Sequence, residues 1–182
     1  PQPSCRKLLI NWFGEHNKVS LDFSSLGNEE KKTQLFVSSK YPTLASVDSD
    51  WVIENQGRAA FKKVKWDIIE EIRMTTLDDA IKKYGKPVFI KIDTEGSEDK
   101  VLSGLSTAVE CVSFEFLPWQ RQQALKCIDK IVRLGNYSFN FSRGESMKLF
   151  FSSWLSAKEI RNFIRNYGED TQSGDIYAKL DK

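Results

Sequence analysis

Apolar residues recur along this chain with two periods, and the switches between them mark out its elements. Leu8, Leu9, Trp12 and Phe13 fall at helical spacing, so residues 5–16 are predicted as an amphipathic helix entered through Pro1 and Pro3. Val19, Leu21 and Phe23 then alternate with polar residues, as do Leu35 and Val37 beyond the turn-like Gly27-Asn28-Glu29-Glu30. They predict two strands joined by a short connection, the second an added hairpin strand. No period is sustained over 40–65, where Pro42, Ser46, Asp48, Asn55 and Gly57 mark a long irregular segment. Residues 66–74 regain strand character. Thr76, with Asp79 three residues on, opens a helix that Gly85 and Pro87 end.

The stretch PVFIKIDTEGSEDKVLSGL, residues 87–105, is the most informative. Phe89, Ile90 and Ile92 predict a strand buried on both faces, and Val101, Leu102 and Leu105 recur at helical spacing. Asp93, Thr94, Glu95 and Gly96 therefore fall where the carboxyl end of a strand feeds a helix, the place where open α/β sheets bind ligands. Beyond it the pattern predicts a strand over 111–117, a helix over 120–134 closed by Gly135, a strand over 137–141 and a short strand over 148–151. A helix capped by Ser156 and Glu159 and a final strand over 175–180 complete it. Such alternation predicts an α/β fold, a doubly wound and largely parallel sheet covered on both faces, in one domain over 1–182 without internal repeats.

Composition narrows the chemistry. The chain has 182 residues, 40% of them hydrophobic, enough for one sizeable core. Twenty-seven basic against twenty-five acidic residues leave a net charge of +2, which removes the electrostatic argument for nucleic acid or an anionic membrane. Cys5, Cys111 and Cys127 are scattered and odd in number, which predicts reduced thiols and neither a disulfide framework nor a zinc site. His16 is the only histidine, so triads and metal clusters built on histidine lose their main ingredient. No run approaches the roughly 18 apolar residues that span a bilayer, and the expectation is a soluble cytoplasmic protein. The chain opens on Pro1 without an initiator methionine, which is expected of a processed chain or a piece of a longer one.

At TLDDAIKKYGKPVFIKIDTEGSEDKVLSGL, followed by CVSFEF, the chain resembles the FkbM family of S-adenosylmethionine-dependent methyltransferases. The resemblance extends upstream through PQPSCRKLLINWFG and VSLDFSSLGNEEKKTQLFVSS, and downstream to GDIYAKL. It implies a class I, Rossmann-like methyltransferase fold with family strand order 3-2-1-4-5-7-6. It further implies a chain that lacks the family's first strand, its glycine-rich loop and most of its second strand. An opening between strands three and four would then expose apolar edges, and the fragment alone would bind cofactor weakly or not at all. The activity implied is methyl transfer from S-adenosylmethionine to a hydroxyl of a sugar or other small metabolite. Asp93 would hold the amino end of the cofactor or the acceptor hydroxyl, and Glu95 would accept the acceptor's proton or orient Asp93. Gly96 would permit the turn, and Ser24, Ser25 and Leu26 fall where class I methyltransferases line the adenine pocket. No metal is expected.

Other readings compete. Acids at a helix start serve equally as caps of its free amides. Lys91 and Glu115 are expected to form a buried structural ion pair. Trp12, Phe13, Phe114, Phe116, Phe163 and Tyr167 are expected in the core, and Trp119 and Trp154 outside the site. FIKIDTEGS also looks like the nucleophile motif of haloacid-dehalogenase-like, magnesium-dependent phosphohydrolases, with Asp93 as nucleophile, although its second acid departs from that pattern. A catalytically silent binding domain of methyltransferase shape is the third reading.

Overall fold

The computed structural model describes residues 2–181, so the expectation at Pro1 lies outside the described residues. Strand pairing divides the chain into two mixed sheets. β1 (Ser25–Gly27), β2 (Lys31–Val37) and β3 (Ile68–Thr76) form the smaller, ordered β1-β3-β2, with β1 parallel and β2 antiparallel to β3. β4 (Phe89–Ile92), β5 (Cys111–Phe116), β6 (Tyr137–Arg143) and β7 (Gly174–Leu180) form the larger, ordered β4-β5-β7-β6. Among the described strands only β1–β3 and β4–β5 pair in parallel, because β7 runs antiparallel between β5 and β6. The α/β, Rossmann-like class stands, and the strands divide where an opening was expected, with β4-β5-β7-β6 following the implied order; the largely parallel pairing is corrected to two mixed sheets. β1 and β4 are edge strands of separate sheets.

Six α-helices complete the described chain: α1 (Pro3–Phe13), α2 (Ser49–Gln56), α3 (Leu77–Tyr84), α4 (Glu98–Ser103), α5 (Arg121–Leu134) and α6 (Ala157–Asn166). Their termini follow the expected chemistry. The Thr76 side chain accepts from the Asp79 amide at the start of α3, and Ser156 and Glu159 form a full capping box on α6. α4, α5 and α6 pack in sequence on one face of the larger sheet. Ile92, Val101, Leu102, Phe114, Ile128, Phe139, Ile160 and Ile176 meet there, all essentially removed from water. A second cluster gathers Trp51, Val52, Phe61 and Leu117, with Trp51 edge-on to Phe61 and Trp66 at centroid distances of 5.7 and 5.8 Å.

Several expectations change. β4 is buried on one face only: Ile90 and Ile92 face the core, while Phe89 is 48% exposed beside Tyr177 and Lys91 is exposed as well. No strand forms over 19–23, because Asp22 accepts hydrogen bonds from the Ser24 amide, Tyr84 and Lys83 and so ties this segment to α3. β1 and β2 are not neighbours, since β3 lies between them. The irregular segment contains α2, capped by Asp48, and two short 3-10 turns; α2 offers only Trp51, Val52 and Asn55 to the interior, too few positions to register as a period. Around residue 149 a single bridge to Ser142 replaces a strand, because the Asn140 side chain occupies the Phe151 backbone groups. Trp12 and Phe13 are exposed, not core.

Trp51 also explains Gly96. A Cβ at Gly96, whose φ is +98°, would lie 2.0 Å from Trp51 Cδ1. We expect Gly96→Ala to lower stability by about 1–3 kcal/mol, with strain and overpacking acting together, and to shift tryptophan fluorescence; urea denaturation identical to wild type would contradict this packing. Ile92→Ala is expected to cost about 2–5 kcal/mol, against about 0.5 kcal/mol for Phe89→Ala. Equal costs in denaturant titrations would place β4 burial on both faces after all.

Candidate functional site

β4 ends in a turn that the rest of the fold holds from several sides. Glu95 (φ 51°) and Gly96 (φ 98°) both adopt left-handed backbone geometry. Glycine does so freely, but for Glu95 the cost is about 1–2 kcal/mol, and such strain collects at functional turns. The side chain of Glu98, only 2% exposed, accepts at Oε1 from the Thr94 amide (2.8 Å) and the Thr94 hydroxyl (3.0 Å). The Ser46 hydroxyl donates to the Glu95 carbonyl (2.7 Å), and Lys100 pairs with Asp48 (2.7 Å), joining α4 to the cap of α2. The Ser97 N-cap of α4 makes no side-chain capping bond, and Glu98, the first residue of that helix, reaches back to Thr94 ahead of it.

Asp93 and Glu95 are thereby left for other chemistry. With Glu115, on β5, each offers a carboxylate oxygen, and these oxygens lie within 4.8 Å of one another. Burial, reinforced by Asp93 and Glu98, pushes the Glu95 carboxyl up to about 7. Burial also pushes Glu115 up to about 9, with Glu95, Asp93, Glu98 and Asp175 adding to it. The expected Lys91–Glu115 pair does not form. Lys91 and Glu115 share a sheet face, but Lys91 Nζ lies 2.9 Å from Asp175 Oδ1 and 3.3 Å from Asp93 Oδ2, and Lys91 is half exposed. The strand register explains this, since Glu115 lies opposite Asp175 on β7 and Lys91 opposite Ser113. Lys91 supplies positive charge at the edge of this cluster through Asp93.

A cleft of about 290 Å³ brings the remaining predicted residues to this turn. Ser24, Ser25 and Leu26 line one side, and Asp93, Thr94 and Glu95 another. Thr43, Ala45 and Val47 supply a wall that the sequence pattern did not reveal, and Leu35 adds apolar surface from β2. Gly96 does not line this cleft. It faces Trp51 and a separate, open cavity of about 600 Å³, which Trp119 and Gln120 also line. Trp154 lies elsewhere, beneath Lys179. The cleft combines apolar side chains with serine hydroxyls and carboxylates, a lining typical of small-molecule sites.

Comparison with known proteins agrees with this architecture. The family model of the methyltransferase FkbM domain matches residues 2–170. No curated protein and no solved structure gives a significant match. Nearly the whole chain falls within the family model, which sets the phosphohydrolase reading aside. The chain belongs to the FkbM-domain family of methyltransferases.

Proposed function

We propose that this chain catalyses methyl transfer from S-adenosylmethionine to a hydroxyl of a sugar or another small hydroxylated metabolite. The observation that carries this reading is the Asp93–Gly96 turn, which presents two carboxylates to the same cleft as Ser24, Ser25 and Leu26. When bound, S-adenosylmethionine supplies an electrophilic methyl group on its sulfonium. Leu26, Leu35, Ala45 and Val47 would give apolar surface to the adenine, and the hydroxyls of Ser24 and Ser25 would offer polar partners. Asp93 would hold the cofactor's ammonium. Glu95, whose carboxyl is raised to about 7, takes the proton of the acceptor hydroxyl at a carboxylate oxygen. Holding two reactants in register supplies much of the acceleration expected of such a site.

Calorimetric titration of the full-length protein with S-adenosylmethionine is expected to give micromolar binding, and Asp93→Asn to weaken it about 10- to 100-fold through loss of a charge-assisted hydrogen bond. Absence of binding would favour the silent-domain reading. Glu95→Gln is expected to lower kcat about 10²–10⁴-fold with little change in cofactor affinity, in assays of labelled methyl transfer to a panel of sugars and hydroxylated metabolites. A base works ionised, so the wild-type rate should rise with pH through about 7, following the Glu95 carboxyl. An acid limb unchanged in Glu95→Gln would remove Glu95 from the base role.

A further inference from the structure

We infer that Glu115 is a positioning residue for this site, a carboxylic acid whose O–H is donated to the Glu95 carboxylate and fixes its orientation. The inference rests on the reading of Glu95 as the base. Glu115 projects from β5 on the face that carries Lys91, and its Oε2 is shielded from water with no hydrogen-bond partner among the described residues. The groups around it are overwhelmingly acidic: Asp93 and Glu95 from the turn, Glu98 from α4 and Asp175 from β7. Of the lysines on that face, Lys91 is taken by Asp175 and Asp93, and Lys179 lies at the other end of β7, opposite Cys111 and over Trp154. An ionised Glu115 would thus be a desolvated charge among like charges, whereas a protonated one is neutral and has a donor to place. Glu95 offers it an acceptor, a carboxylate oxygen within 4.8 Å.

Between about 7 and about 9 the two acids hold opposite states, Glu95 ionised and Glu115 protonated. That is the state in which Glu95 can act as a base and Glu115 can donate to it. Because Glu115 keeps its proton while Glu95 titrates, a glutamine amide at position 115 should serve in its place. Above about 9, loss of the Glu115 proton removes the donor and adds a repelling charge.

The test is a ¹³C NMR titration of protein labelled at the glutamate carboxyl carbons, on wild type, Glu115→Gln, Glu115→Leu and Glu95→Gln. Wild type should show raised midpoints near 7 and near 9. Glu115→Gln should remove the upper and leave the lower in place, and Glu95→Gln should lower the upper by about 1 pH unit. In methyl-transfer assays Glu115→Gln should keep activity within about 3-fold and lose the alkaline limb, while Glu115→Leu loses about 10-fold or more. Overturning results are ordinary carboxylate midpoints for both acids, an upper midpoint that does not move in Glu95→Gln, or midpoints that both fall when millimolar Mg²⁺ is added, which would make the cluster a cation site. The titration needs no substrate, so a protein that shows the coupled midpoints but binds no S-adenosylmethionine keeps the protonation pattern and loses the methyltransferase reading.

Discussion

One buried carboxylate organises the functional end of this molecule. Glu98, nearly out of contact with water, accepts from both the amide and the hydroxyl of Thr94 and so ties the first turn of α4 to the end of β4. Burial raises its carboxyl above the usual carboxylate range, and hydrogen bonds led by the Thr94 amide offset only part of that rise. Once this link is made, the backbone between has little freedom: Glu95 and Gly96 take left-handed geometry, Trp51 closes over Gly96, and Ser46 fixes the Glu95 carbonyl. The cost of the strained Glu95 is small beside the burial of Val101 and Leu102 behind it.

The turn does more than shape the backbone. With Glu98 bonded back to Thr94, Asp93 and Glu95 border a cleft also lined by β1 and by residues 43–47. Two sheets therefore border one cleft: the turn after β4 carries the acids, and β1 with Ser24 ahead of it carries the small and polar residues beside them. Electrostatics then separates the acids by environment. Asp93 shares Lys91 and lies half exposed, whereas Glu95 and Glu115 are more deeply buried and rise toward neutrality and beyond. Carboxyls in one cluster with different proton affinities suit proton transfer better than identical ones do.

Much of this was legible in the residues themselves. The strand, acidic turn and helix over 87–105 announced their order, and the caps at Thr76 and Ser156 fixed where α3 and α6 begin. The grouping of Ser24, Ser25 and Leu26 with Asp93 and Glu95 followed from a resemblance to the family, not from spacing. What remained hidden depended on tertiary placement. α2 is short and buries few residues, so its pattern is too brief to read, although Asp48 ahead of it is a capping signal. The meeting of Glu115 with Glu95 needs the β4–β5–β7 register, and Lys91 had a better partner on a strand more than eighty residues away in sequence. Trp12 and Phe13 fit helical spacing yet face solvent, because amphipathic pattern names a face without naming what covers it.

The central claim is that the Asp93–Glu95 turn and the Ser24–Leu26 strand form a single cofactor cleft. Amide chemical-shift mapping with S-adenosylhomocysteine, the demethylated product of the cofactor, tests it most directly. The account predicts coincident perturbations at Ser24, Ser25, Leu26, Thr94 and Glu95, with Trp119 and Gln120 undisturbed. Perturbations confined to the cavity along Trp51, Trp119 and Gln120, on the far side of Gly96, would contradict it.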